Sequence, residues 1–462
     1  MLLALLVGAA VALGAGPAAA ARLKVTWMHG FAAIGTPAKY DEVGVIKIGP
    51  RSARNVLVLV PGTSAGSAYF VPLAQWLVAA VKGWQVWSIE RRENLLEDQS
   101  MLDRAKLGKA SPKQVFDYYL GFLADPRIKR HFRFIPDSSV QFAKEWGMNV
   151  AVQDLHRVIE AARKLGGKVV LGGHSLGGAV VTAYASWGFN GRPGADGLAG
   201  LVYIDGGSFP AISASGAQSQ LQALQRTPSP WLAFGNISAP FAGIFNATGS
   251  LGALLAPNQR SLGQQFKDLP ASLKPRVPVT NLAQYGYALN VKTSPLALRA
   301  AQAHLGRGVA MRALHGLHGW DGRGALTPIT RYATMFSGIG IQNADGTEWY
   351  FPARLTLDSF AVGNGIANPA QSVLGVPATM GGRLPHRLLI YAFGAALGGQ
   401  GVLADARLLA RQSGIPARNL TLLDRQATYA HNDPAGAYPH NVFFTHLVRF
   451  LKRVAAGSTP GP

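Results

Sequence analysis

Short, nearly unbroken runs of apolar residues recur over the first 207 residues and return after residue 385. Residues 56–60 read Val-Leu-Val-Leu-Val, and comparable runs occupy 84–89, 168–171, 201–205, 388–393 and 420–423, with a more mixed run at 43–48. Apolar runs of four to eight residues bounded by turn residues are typical of strands that are buried on both faces. The pattern therefore predicts a mostly parallel sheet.

Helical patterns lie between these runs. They cover 69–77, 152–162, 179–185, 403–411 and 442–451, and a further helix is predicted to start at Ser111-Pro112 and to run through Leu123. Strands that alternate with helices are typical of α/β proteins, in which helices cover both faces of the sheet. The predicted fold class is α/β, with a mostly parallel sheet flanked by helices.

The alternation stops between residues 208 and 384. This stretch is rich in Pro, Gly, Ser and aromatic residues. It predicts a large cap or lid region inserted into one α/β domain formed by residues 43–207 and 385–455. The aromatic side chains of the insertion have two interpretations, the apolar underside of a cap over a binding pocket and the cap's own small core, and the second is favoured.

Both ends of the chain differ from this pattern. Residues 1–21 are almost entirely apolar and end in small residues around Ala18-Ala19-Ala20, which predicts a cleaved signal peptide. A membrane anchor is the alternative, because about 20 apolar residues span a bilayer. Residues 456–462 predict a flexible tail. We therefore expect an exported protein, either extracellular or associated with the cell envelope.

Composition narrows the function. The 462 residues include no cysteine, so neither disulfides nor cysteine-ligated metal sites are expected. The formal net charge is +21, but the basic residues are scattered. The scatter favours a solubilising surface over nucleic-acid binding. The large positive charge also allows attraction to anionic surfaces such as phospholipid. The pattern does not fix an oligomeric state.

One motif carries chemistry. Gly173-x-Ser175-x-Gly177 directly follows the predicted strand at 168–171 and directly precedes the small-residue helix at 179–185. This is the sequence of a nucleophile elbow, a sharp strand-to-helix turn that exposes a serine hydroxyl. The motif and its context predict that Ser175 is a nucleophile.

The chain resembles α/β-hydrolase fold serine hydrolases of the esterase and lipase type over 43–207 and 385–455. The elbow carries this resemblance, and the loop Pro61-Gly62-Thr63 supports it. The resemblance implies an oxyanion hole made by the backbone N–H groups of Thr63 and Leu176, with Ser64 as the alternative to Thr63. It also implies a histidine base after the last strand.

Three histidines follow the last predicted strand. His431 stands in a loop, where members of the family carry the base, and it is the preferred candidate. His440 directly follows Pro439 at the start of the terminal helix. His446 lies within that helix, where a packing or surface role is favoured.

The acid of the triad departs from the commonest family layout. The segment after the penultimate strand, 393–400, has no carboxylate. Some relatives place the acid one strand earlier, and Asp205 ends that strand before two glycines. Its alternative role is to cap backbone N–H groups of the loop. Asp405 and Asp424 are the reserve candidates.

These features predict an exported serine hydrolase that cleaves carboxylic esters through an acyl-enzyme. The expected substrate is an ester with an apolar acyl group, and no cofactor is expected. An acyltransferase with the same triad and a non-catalytic binding protein are the alternatives. His315 and His318 with nearby Asp321 suggest a metal site only weakly, because the surrounding glycines disfavour a rigid helix. The turn Glu90-Arg91-Arg92 predicts an ion-pair network.

Overall fold

The computed structural model describes residues 23–235 and 237–457 of the chain. A nine-stranded sheet forms the centre of this part. The predicted signal peptide (1–21) and most of the predicted tail (456–462) lie outside these described residues. In chain order the strands are β1 (Leu23–His29), β2 (Glu42–Ile48), β3 (Asn55–Val60), β4 (Trp84–Glu90), β5 (Val169–His174), β6 (Gly188–Phe189), β7 (Arg192–Pro193), β8 (Gly200–Ile204), β9 (Ala233–Phe234), β10 (Ile237–Ser238), β11 (Gly308–Leu314), β12 (Leu317–Asp321), β13 (Ile341–Gln342), β14 (Leu389–Gly394) and β15 (Leu420–Asp424).

The spatial order of the main sheet is β13-β1-β2-β4-β3-β5-β8-β14-β15. From β4 to β15 all neighbouring strands are parallel, whereas β2 runs antiparallel to both β1 and β4. Parallel strands end at the same edge of a sheet, so the loops after β3, β5, β8 and β15 meet there. These loops contain the residues on which the chemistry depends.

Helices cover both faces of this sheet. All α-helices of the described residues, in chain order, are α1 (Val71–Ala80), α2 (Ser100–Lys106), α3 (Pro112–Tyr119), α4 (Met148–Arg163), α5 (Leu176–Ser186), α6 (Ala214–Arg226), α7 (Ala239–Leu255), α8 (Leu262–Gln265), α9 (Asn281–Leu289), α10 (Ile329–Ser337), α11 (Ala353–Val362), α12 (Pro369–Leu374), α13 (Gly399–Gln412), α14 (Asp433–Gly436) and α15 (Val442–Ala455). The predicted fold class, a mostly parallel sheet flanked by helices, is confirmed.

The central strand β3 shows why an unbroken apolar run is needed. Successive side chains of a strand point to opposite faces. Val56, Val58 and Val60 therefore enter one core cluster, whereas Leu57 and Leu59 enter the other. Because helices cover both clusters, a polar residue at any of these positions would be buried without a partner.

The predicted helix from Ser111-Pro112 to Leu123 is wrong at its C-terminal end. Ser111 caps α3 as expected, in a reciprocal pair of hydrogen bonds with Gln114. The helix nevertheless ends at Tyr119, because Leu120 leaves helical geometry (φ −134°, ψ −41°) just before Gly121. Glycine favours such a break, since it loses more conformational freedom in a helix than other residues do.

Residues 208–384 form α6 to α12 and the short strands β9 to β13. Strand β13 pairs with β1 at the edge of the main sheet, and neither strand lies within the predicted sheet segments 43–207 and 385–455. A third apolar cluster joins Ile244 and Trp349 to Tyr119 of α3. The stretch therefore packs extensively on the sheet domain, and its description as a cap stays a prediction.

Within the described ranges, none of the helices combines the length and the hydrophobicity that crossing a lipid bilayer requires.

Candidate active site

Ser175 lies in the sharp turn between β5 and α5. Its backbone has a positive φ of 56° with ψ −128°, a conformation that a non-glycine residue adopts only when its surroundings impose it. The two glycines of the motif allow this turn to pack. A Cβ atom at Gly173 would collide with the carbonyl oxygen of Gly177, and one at Gly177 would collide with that of Val60. The strand-to-helix turn expected around Ser175 is present.

The loop after β3 passes directly beside this serine. A Cβ atom at Gly62 would lie 2.8 Å from Cβ of Ser175, so only glycine permits the approach. Within the described part of the chain, the N–H groups of Thr63, Ser64 and Leu176 donate no hydrogen bond. Thr63, in the loop beside Ser175, and Leu176, directly after it in sequence, therefore each have a free donor. Ser64 stays open as the alternative to Thr63.

Arg91, directly after β4, holds this loop in place. Its guanidinium donates to the carbonyl oxygens of Pro61 (3.2 Å), Gly62 (3.0 Å) and Ala65 (2.9 Å). The side chain is buried, so water does not compete for these bonds. The planar, multiply donating guanidinium suits three acceptors at once.

A segment of the long insertion holds the other side of the same loop. Gly66 N–H donates to the Gly346 carbonyl at 3.1 Å, and the N–H of Glu348 donates to the Ser64 carbonyl at 2.9 Å. Glu348 also lies 3.4 Å from Arg91 through its carboxylate. The loop beside Ser175 is thus fixed between β4 and the insertion.

Several carboxyl groups are buried around Arg91. Burial raises the pKa of Glu90 to about 8 and that of Glu93 to about 7, although the nearby Arg91 charge opposes the shift. Burial also raises the pKa of Glu348 well above its ordinary value. Burial thus favours the neutral form of these carboxyl groups, although a guanidinium charge lies nearby. The predicted network is confirmed at Arg92, which pairs with Asp41 at 2.8 Å and Asp154 at 2.6 Å.

His431 and Asp205, which lie 226 residues apart in sequence, form a short hydrogen bond. Nδ1 of His431 is 2.6 Å from Oδ2 of Asp205, and both side chains are buried. A carboxylate at Nδ1 selects the tautomer with its proton on that nitrogen. The other ring nitrogen, Nε2, is then left as a proton acceptor.

Asp205 also caps backbone N–H groups of a loop, which is the alternative role predicted for it. Its carboxylate accepts backbone N–H groups of the loop after β14, from Ala395 (2.6 Å), Leu397 (3.1 Å) and Gly398 (2.9 Å). Burial alone would raise the pKa of Asp205, but the bonds from His431 and from these amides outweigh it and leave the pKa below its ordinary value. The carboxylate is therefore ionised at neutral pH.

The reserve candidates lie elsewhere. Asp424 accepts from the side chain of Gln400 (3.2 Å) and from the backbone of Gln426 (3.0 Å), and Asp405 lies within α13. His440 is exposed and His446 lies in α15. Of the three acids considered, the structure brings Asp205 to His431.

The loop that carries His431 is fixed by Asp433. The Asp433 carboxylate accepts from the N–H of Ala430 (2.7 Å) and from the hydroxyl of Thr327 (2.7 Å), and it binds Nδ1 of His304 (2.5 Å). His174, within the serine motif, binds the carbonyl oxygen of His431 through Nε2 at 2.9 Å. Burial, helped by the nearby His431, lowers the pKa of His174 to about 3, so this ring stays neutral.

A cavity of about 290 Å³ opens beside these groups. Ser175, His431 and Thr63 all line it. Its remaining walls come mainly from α7, α9 and the segment 297–301. They are largely apolar and include Phe116, Phe241, Phe245, Leu273, Tyr285 and Leu289. Ser175 Oγ and the His431 ring make no mutual hydrogen bond in the described structure, as is common before substrate binds.

The strand order, the serine between β5 and α5, and the acid–histidine contact at the carboxyl edge of the sheet together define the architecture. The chain has the α/β-hydrolase fold. No protein-family model matches the sequence, and no curated protein matches it.

Solved structures that resemble the chain have low sequence identity. A carboxyl esterase from Bacillus coagulans is 11% identical with a TM-score of 0.40, and the match covers 94% of this chain and 99% of that one. A monoglyceride lipase variant from Saccharomyces cerevisiae is 10% identical with a TM-score of 0.39, covering 94% and 96%. A monoacylglycerol lipase from Paleococcus ferrophilus is 15% identical with a TM-score of 0.38, covering 90% and 100%.

Two features of this candidate site were missed from the sequence. Arg91 was assigned only to an ion-pair network, because its acceptors are backbone carbonyls that no side-chain pattern reveals. His174 had a signal, since it lies inside the motif. His315 and His318 belong to the β11–β12 hairpin, and among the described residues no cluster of three or more His, Asp or Glu side chains is placed to hold a metal ion.

Proposed function

We propose that the chain is a serine hydrolase that cleaves carboxylic esters through an acyl-enzyme, with Ser175 as nucleophile, His431 as base and Asp205 as the orienting acid. The observation that carries this proposal is the 2.6 Å bond between His431 Nδ1 and Asp205 Oδ2 beside the cavity that Ser175 lines. The proposal requires no cofactor.

Each group has one role in the proposed reaction. Nε2 of His431 accepts the proton of Ser175 as Oγ attacks the ester carbonyl, and Asp205 stabilises the imidazolium that forms. The N–H groups of Thr63 and Leu176 donate to the oxyanion of the tetrahedral intermediate. The imidazolium then protonates the leaving alcohol, and water releases the acyl group by the same steps.

Covalent labelling tests this proposal. A fluorophosphonate probe is expected to phosphonylate Ser175 in folded protein, and peptide mass spectrometry identifies the modified residue. Folded protein that neither takes up the probe nor hydrolyses p-nitrophenyl butyrate would instead be a binding protein. Repeating the ester assay with added butanol separates the two enzyme classes, because an acyltransferase forms butyl ester in preference to free acid.

We further propose that the acyl group of the substrate is apolar and of medium length. The largely apolar cavity supports this, because apolar ligand surface gains free energy when it leaves water. A cavity volume of about 10–15 Å³ is enough to hold one water molecule. A cavity of about 290 Å³ therefore has room for an acyl chain of many atoms.

Gly252 gives a direct test of this acyl cavity. It lies on α7, lines the cavity, and a Cβ atom there would meet open space. We expect Gly252→Leu to lower kcat/KM for p-nitrophenyl decanoate by about ten-fold while the butyrate ester changes less than about two-fold, because the new side chain displaces about two methylene groups worth ~0.8 kcal/mol each.

The matched control is Gly401→Leu. Gly401 lies on α13, also has open space at its Cβ position, and is not part of the cavity. It should leave the chain-length profile unchanged. An equal loss on both esters in Gly252→Leu, or no loss at all, would place the acyl group outside this cavity.

Arg91 should act on catalysis through the loop that it holds. We expect Arg91→Gln to lower kcat by about 10- to 100-fold with little change in KM, because a misplaced oxyanion donor costs about 2.7–4 kcal/mol when it is lost completely. Arg91→Lys should recover only part of this rate, since an ammonium group does not span three carbonyls in fixed directions. Steady-state kinetics and the rate of phosphonylation measure the effect.

Arg354→Gln is the control for loss of a buried arginine. Arg354 binds Asp358 at 2.7 Å and the Leu374 carbonyl at 2.8 Å, and neither partner lies in the loop at 61–66. Both variants should lower thermal stability, but only Arg91→Gln should slow the remaining folded enzyme. Equal kcat values in the two variants would limit Arg91 to a role in stability.

We also propose that the protein is exported. The support is the apolar stretch at 1–21 with small residues around Ala18-Ala19-Ala20. The intact mass of protein recovered from culture medium tests it, since cleavage after this stretch removes about 20 residues. Retention of the full chain in the membrane fraction would favour the anchor instead.

A further inference from the structure

The β11–β12 hairpin exposes large apolar side chains at its tip. Met311 is 94% exposed and Leu314 is 75% exposed. The turn between the strands, at His315 and Gly316, takes positive φ values of 50° and 76°, which closes the hairpin tightly. Single exposed apolar residues are common on soluble proteins, whereas neighbouring ones mark contact surfaces, and Met311 and Leu314 lie three residues apart in the exposed half of β11.

The same hairpin is positively charged. Arg307 and Arg312 lie on it or at its base, and between residues 307 and 323 the one carboxylate is Asp321. That carboxylate is paired with Arg323 at 2.7 Å. The whole chain has a formal net charge of +21, so the hairpin belongs to a surface that attracts anions.

The hairpin is packed against the wall of the cavity. The Trp320 ring lies against Gly286 of α9, where an added Cβ would come within 2.7 Å of the indole. Other residues of α9, Tyr285 and Leu289, line the cavity. The hairpin is therefore rigidly joined to the element that forms the proposed acyl site.

A third exposed apolar side chain lies on an element that lines the cavity itself. Leu296 is 84% exposed, and the residues that follow it, Ala297 and Leu298, line the cavity. Apolar side chains thus face solvent from one segment of the cavity wall and from a hairpin that packs against another.

We propose that the β11–β12 hairpin docks this protein onto an anionic lipid surface, with Met311 and Leu314 inserted at the boundary between headgroups and acyl chains and Arg312 near the headgroup phosphates. Apolar side chains beside basic ones, in the exposed part of one hairpin, match that boundary. Attraction of the net positive charge brings the protein to the surface, and apolar insertion retains it there.

Vesicle sedimentation with the full-length chain tests the proposal. The probes are vesicles of phosphatidylcholine with and without phosphatidylglycerol, and the Ser175→Ala protein is used so that lipid hydrolysis cannot change the surface. We expect binding to the anionic vesicles, and we expect Met311→Ser combined with Leu314→Ser to weaken the partition coefficient by about ten-fold or more. Arg312→Gln should weaken binding to anionic vesicles selectively.

Ile34→Ser is the matched control, because Ile34 is 84% exposed and lies outside the hairpin. It should leave vesicle binding unchanged. The proposal is overturned if the Ser175→Ala protein does not bind anionic vesicles. It is also overturned if adding Met311→Ser and Leu314→Ser to that protein leaves vesicle binding unchanged. If the double variant still binds and high salt abolishes that binding, the attraction comes from overall charge alone.

The outcome is independent of the proposed hydrolase activity. Vesicle binding is measured without turnover, so an inactive protein could still dock. Conversely, the hairpin variants made in protein that retains Ser175 should hydrolyse soluble p-nitrophenyl butyrate at the unmodified rate, whether or not the hairpin binds lipid.

Discussion

Replacing Ser175 with alanine is expected to lower kcat for ester hydrolysis by about 10⁵- to 10⁶-fold, since removing the nucleophile of a serine triad removes the acyl-enzyme route entirely. The Cβ atom is retained, so the close approach of Gly62 to this position is unchanged and the protein should stay folded. Release of p-nitrophenol, followed over hours with concentrated enzyme, measures the residual rate. Fluorophosphonate labelling should disappear in the same variant.

Ser64→Ala is the sharpest control for this experiment. Ser64 lines the same cavity, has a positive φ of 49°, and its hydroxyl is buried without a hydrogen-bond partner. If Ser175 is the nucleophile, Ser64→Ala keeps the rate within about ten-fold, because its backbone N–H is retained. A large loss in Ser64→Ala together with an active Ser175→Ala would reverse the two assignments.

Replacing Asp205 with asparagine is expected to lower kcat by about 10⁴-fold, because an amide donor facing Nδ1 favours the tautomer that blocks Nε2 as a base. The same change weakens the contacts of the carboxylate with the N–H groups of Ala395, Leu397 and Gly398. A buried amide left without its acceptor costs about 1–3 kcal/mol. Kinetics and thermal unfolding, measured on the same samples, separate these two effects.

Asp424→Asn and Asp405→Asn are the controls for Asp205. Asp424 is the last residue of β15, and Asp405 lies in α13. Neither is the hydrogen-bond partner of His431, which is Asp205. Each should keep kcat within a few-fold of the unmodified enzyme. If Asp424→Asn alone abolished activity while Asp205→Asn remained active, Asp205 would be confined to capping the loop after β14.

The stability effect of Asp205→Asn should depend on pH. The folded pKa of Asp205 lies below its ordinary value, so its ionised form stabilises the native state above the unfolded pKa of about 4. That contribution is lost as the pH falls through the lower, folded pKa. The difference in unfolding free energy between the two proteins should therefore be full near neutral pH and shrink in acid.

Local pattern was sufficient for seven of the nine strands of the main sheet and for the turn that holds Ser175. The apolar runs at 56–60 and 201–205 correspond to β3 and β8 within one residue at each end. This works because burial on both faces demands an unbroken apolar run, and neighbours along the chain carry that requirement. The glycines around Ser175 also predicted the turn correctly, because glycine is needed where another stretch of backbone passes closely.

Boundaries that depend on the surroundings were less readable. Strand β1 and the two-residue β13 joined the sheet without an apolar run of the predicted kind. β13 is the edge strand, and β1 beside it has only one fully buried residue, so neither needs such a run. The C-terminal end of α3 was also missed, since Leu120 continues the helical spacing although its backbone does not.

Sequence pattern alone predicted the α/β class, the turn that holds Ser175, and a short set of candidate acids and bases. Only the tertiary structure brought Asp205 to His431 across 226 residues, placed Arg91 on the carbonyls beside Ser175, and enclosed the apolar cavity. The physical reason is that strands and turns follow from the spacing of near neighbours. A hydrogen bond between distant loops depends instead on strand order and direction, which no local spacing encodes.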